Sequence, residues 1–80
     1  MTPFPFHFPE GELRKRAPRE AHKHIDALRD ELRAKKPSAK RIHEHYHKLS
    51  EWDELVATLE RWWMDERVQA FIAELTAAGL

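Results

Sequence analysis

From Ala21 onward the large apolar residues recur at helical spacing, and this restricts the chain to an all-α fold. Ala21, Ile25, Leu28 and Leu32 stand 4, 3 and 4 residues apart, the narrow stripe of a helix that buries one edge. Pro18 suits the start of that helix, because its missing N–H would be unpaired in the first turn. "KKPS" at 35–38 ends it: lysines favour the negative end of the helix dipole and Pro37 cannot continue the ladder. Glu31 and Lys35 are spaced to pair on the outer face. Ser38 is placed to cap a second helix with Ile42, Tyr46 and Leu49 on one side. Ser50 before "EWDE" reads as the next cap; the alternative is one longer helix bent at Ser50. The third helix carries Trp52, Leu55, Val56, Leu59, Trp62 and Trp63 within an arc of roughly 120°. Asp65 opens a last helix presenting Val68, Phe71, Ile72 and Leu75, and Gly79 stops it.

The first nine residues cannot follow this pattern. In "PFPFHFP" (3–9), Pro3, Pro5 and Pro9 fix φ near −65° and push each preceding residue toward extended backbone. Phe4, Phe6 and Phe8 therefore lie on an extended arm. "EGELRKRAP" follows with Gly11 as a joint and Leu13 as its single large apolar residue, so it reads as a linker or a short helical turn. The expected organisation is an extended arm and linker over residues 1–17 and a bundle of three to four short helices over 18–80.

Eighty residues leave little core to spare. With no cysteine, neither disulfides nor thiolate metal sites add to it. No uncharged apolar stretch approaches the roughly 20 residues needed to span a bilayer. The start of the chain lacks the pattern of a secretory signal. A cytoplasmic location without membrane contact is the expectation. Net charge is zero, yet residues 1–50 hold twelve Lys/Arg against seven acids and residues 51–80 hold two against seven. Such asymmetry can join the two halves, orient copies head to tail or present a basic face to an acidic partner.

Catalysis needs a nucleophile, a base and a means of stabilising charge. Cysteine is absent, both serines read as caps, and two glycines build no phosphate cradle. The chain is therefore not expected to be an enzyme or to carry a cofactor. His43 and His47, four apart on one helical edge, have the spacing of a two-point metal ligand, and His22 on the neighbouring helix is the third candidate. The bland account, solvated flank residues beside aromatic rings, is preferred, and no metal is expected.

Three phenylalanines left in water would each forgo roughly 1.5–3 kcal/mol, so a groove should receive them, on the bundle itself between its third and fourth helices, on a second copy or on another protein. The tryptophans in turn read first as large side chains filling a small core. Tryptophan is enriched among the energetic anchors of protein interfaces, and Trp52, Trp62 and Trp63 crowd one short helix. The leading reading is a non-enzymatic protein–protein interaction module: an adaptor, inhibitor or accessory subunit. It docks through Phe4, Phe6, Phe8, Trp52, Trp62 and Trp63 onto a protein partner, a homodimer being the simplest assembly. The alternative is nucleic-acid binding by the basic, His-rich first half, through Arg14, Lys15, Arg16, Arg19, Lys35, Lys36, Lys40 and Arg41.

Overall fold

The computed structural model describes residues 8–79, and Phe4 and Phe6 lie outside them. The described residues form five α-helices and no strand: α1 (Glu10–Arg16), α2 (His22–Arg33), α3 (Ala39–Leu49), α4 (Asp53–Trp63) and α5 (Glu66–Ala77). The fold is all-α. The helix count exceeds the expected three to four because α1 forms where a linker or single turn was anticipated.

Local chemistry accounts for α1. Glu10 and Glu12 occupy its first turn and Arg14, Lys15 and Arg16 its last, matching both ends of the dipole. It stops at Ala17, whose backbone is extended (φ −82°, ψ 146°), as a residue preceding proline should be. Seven residues do not make a stable helix alone. Leu13 provides the anchor: it is completely buried, and α1 packs on α2 and α4. Around it, Glu10 pairs with Arg29, and Arg14 with Asp26. Glu12 accepts from Arg61 and from the buried Thr58 hydroxyl, both at 3.4 Å.

Pro18 itself is extended (ψ 157°) and a 3-10 turn over Arg19–Ala21 leads into α2. Helices α2 and α3 form the most extensive contact of the fold, an antiparallel hairpin in which Glu31 reaches Arg41 and His24 reaches Trp52. Every member of the α2 stripe is buried, as are Ile42, Leu49, Leu55, Leu59, Val68, Phe71, Ile72 and Leu75. The core thus follows the apolar spacing of the sequence. Among the described residues no helix is long and apolar enough to cross a membrane.

The caps divide. Ser38 accepts from the Arg41 N–H and Asp65 from the Arg67 N–H at 2.8 Å, as expected. Gly79 adopts φ +77°, the left-handed stop that favours glycine. Ser50 does not cap α4. Its hydroxyl donates back to the Tyr46 carbonyl at 2.9 Å and it closes α3 instead, the local competition open to any serine near a helix end. Helices α3 and α4 are therefore separate. Glu31 does not pair with Lys35 either, because α2 ends at Arg33. Its carboxylate turns inward to accept the Ser38 N–H at 2.9 Å, which ties the two ends of the hairpin turn together.

Candidate interaction surface

Adjacent residues on a helix point about 100° apart, and although the Trp62 and Trp63 ring centroids stay 5.8 Å apart, the two rings differ in burial and in their other partners. Trp62 is buried, and Phe8 meets it edge-on with ring centroids 5.1 Å apart and planes at 74°. Phe8 is itself only 6% exposed. These two members of the expected docking set belong to the core of their own chain.

Trp63 is half-buried. It lies against Tyr46 of α3 as a near-parallel stack, 4.2 Å between centroids and 21° between planes. His43 meets Trp63 edge-on at 5.1 Å, and His47 continues the row beside Tyr46 and His43. Burial raises the pKa of the Tyr46 phenol, and Glu60 adds to the effect. Met64 follows directly and is 73% exposed. Tyr46 and Met64 were not singled out from the sequence. Tyr46 reads there as one more seam residue, although its place in "HEHYH", three after His43, puts it on the edge where the histidines lie.

Trp52 forms a second, smaller site with His24 at 5.7 Å and the Lys48 ammonium 5.9 Å from its ring centroid. The His24 pKa lies below its ordinary value of 6.5, first through burial and then through Lys23, Lys48 and His45, with Glu51 opposing. The unfolded chain therefore takes up this proton before the folded one. The resulting stabilisation is complete above pH 6.5 and lost as the pH falls through the folded value. His24→Gln should melt with a weaker pH dependence below 6.5 than the wild type. Thermal scans across that range check this, and identical profiles would remove His24 as the source.

The three histidines considered for metal do not converge. His22 Nε2 lies 3.1 Å from the Arg14 carbonyl, because α1 occupies that side of α2, whereas His43 turns to Trp63. Among the described residues no group of three or more His, Asp or Glu side chains is placed to hold a metal ion.

The basic residues separate into two kinds. Arg14 and Arg16 are engaged by Asp26 and Glu12, and Arg41 stands 4.0 Å from Glu31. Lys15, Arg19, Lys35, Lys36 and Lys40 are exposed. Nothing in this arrangement identifies itself by likeness.

No protein-family model, curated protein or solved structure matches this chain. Function therefore rests on the chemistry of these surfaces.

Proposed function

We propose that the chain is a non-enzymatic helical interaction module whose contact surface centres on Trp63 and Met64. The observation that carries this reading is the half-open Trp63–Tyr46 stack, followed in the chain by a methionine 73% exposed. A large ring fixed by stacking presents apolar area with little rotamer entropy left to lose, and methionine adapts to an incoming surface. Phe8 and Trp62 drop out of the contact set as core residues, and Trp52 lies at the other end of α4 with His24 and Lys48. A non-enzymatic role is supported by the absence of cysteine and by both serines being committed to backbone groups.

Met64→Lys tests the surface with little risk to the fold, since the side chain is mostly in solvent. Affinity capture from the native host with the full chain, read by mass spectrometry, should yield a protein that the variant loses tenfold or more. Both chains should melt alike. If the partner is a second copy, sedimentation shows twice the 9.5 kDa chain mass and the variant returns it to monomer. Capture and mass both unaltered by the substitution would take this surface out of the reading.

A further inference from the structure

The tip of the α2–α3 hairpin concentrates positive charge without the means to neutralise it. Arg33 lies in the last turn of α2, Lys35 and Lys36 in the connection, and Lys40 and Arg41 in the first turn of α3. All five are exposed. The acid paired with this set, Glu31, reaches Arg41 and also accepts the Ser38 N–H. Among the described residues, Arg33, Lys35, Lys36 and Lys40 form no ion pair, including with Glu44 one turn along α3. Overall neutrality does not cancel this patch. The balance is reached over the whole chain, with seven acids against two Lys/Arg after residue 50, and not by ion pairs of these four cations.

We infer that this tip is a second binding site, one that contacts the phosphate backbone of duplex nucleic acid without reading sequence. Lysine ammonium groups are mobile point charges that meet a phosphate without fixed geometry, and a repeating polyanion rewards several of them through counterion release. The other polyanionic surfaces fit less well. The residues interspersed with the cations are Ala34, Pro37, Ser38 and Ala39, with Pro37 and Ala39 buried, so the tip has no large apolar face to enter a membrane interface. The groove that Lys40 lines also carries Glu44 and Glu51, which would repel an acidic peptide. The structure distinguishes this set from the other basic cluster, where Arg14 and Arg16 already have carboxylate partners.

The test is fluorescence anisotropy of a labelled mixed-sequence DNA duplex titrated with the full chain. About four phosphate contacts predict an affinity loss of about 10²-fold between about 50 mM and 200 mM salt. Substituting Lys35, Lys36 and Lys40 together by alanine should remove about three units of the log–log salt slope and most of the binding at low salt. Circular dichroism of this exposed-residue variant should match the wild type. The control replaces Lys15, Arg19 and Lys23, three exposed cations elsewhere, and should leave at least two thirds of the slope. Equal losses from both triples would overturn the site, as would no binding at low salt. Binding of phosphatidylserine vesicles in preference to the duplex would overturn it in favour of a membrane surface.

Discussion

Replacing Leu13 by alanine should lower the stability of this protein by about 2–5 kcal/mol, the usual cost of emptying a fully buried leucine site. Small domains hold only about 5–15 kcal/mol in total, so the variant should melt many degrees lower. The size of the effect follows from what else holds α1. The ion pairs Arg14–Asp26, Glu10–Arg29 and Arg61–Glu12 surround it, but their side chains are about a quarter or more exposed. Pairs of that kind contribute about 0–1 kcal/mol each, and a seven-residue helix adds little on its own. Burial of one leucine therefore outweighs any single ion pair, and Arg14→Ala should cost no more than about 1 kcal/mol. Urea unfolding of both variants decides it. A Leu13→Ala chain within about 0.5 kcal/mol of the wild type would mean that α1 is not part of the cooperative unit.

The same helix shows where sequence reasoning ends. The stripes of α2 and α5 were legible because four apolar residues fall on one helical face in each, at 4, 3 and 4 spacing from Ala21 and at i, i+3, i+4 and i+7 from Val68, and all eight residues are buried. A single leucine in seven residues has no period. The surroundings that bury Leu13 and pair with α1 come from other helices: Asp26, Arg29, Thr58 and Arg61 stand up to 49 positions away. Ser50 and Glu31 were misread for a related reason. Each had two competing hydrogen-bonding options within seven residues, and the choice depended on where a helix ended. The division between Trp62 and Trp63 lay further out of reach. Their angular separation was readable, but which ring enters the core depends on Phe8 arriving from the far end of the chain.

Phe8→Ala should be the second severe substitution, costing about 3–5 kcal/mol. The residue is 6% exposed and closes one side of Trp62. Its loss removes a ring from the core and opens a tryptophan to water, so the emission spectrum should shift to the red as stability falls. Phe8→Leu separates the two contributions. Leucine keeps much of the apolar burial but cannot meet the indole edge-on, and such ring pairs contribute about 0.5–1.5 kcal/mol beyond area. The expected order is wild type, then leucine, then alanine, with the first step the smaller. Chemical denaturation gives the energies and tryptophan emission the environment. An alanine variant with wild-type stability and unshifted emission would sink the assignment of Phe8 to the core. If the order holds, substitutions at Phe8 act on binding through loss of folded protein. A binding defect at Met64 with stability intact would then locate the partner surface on the exposed side of α4, away from the ring that Phe8 covers.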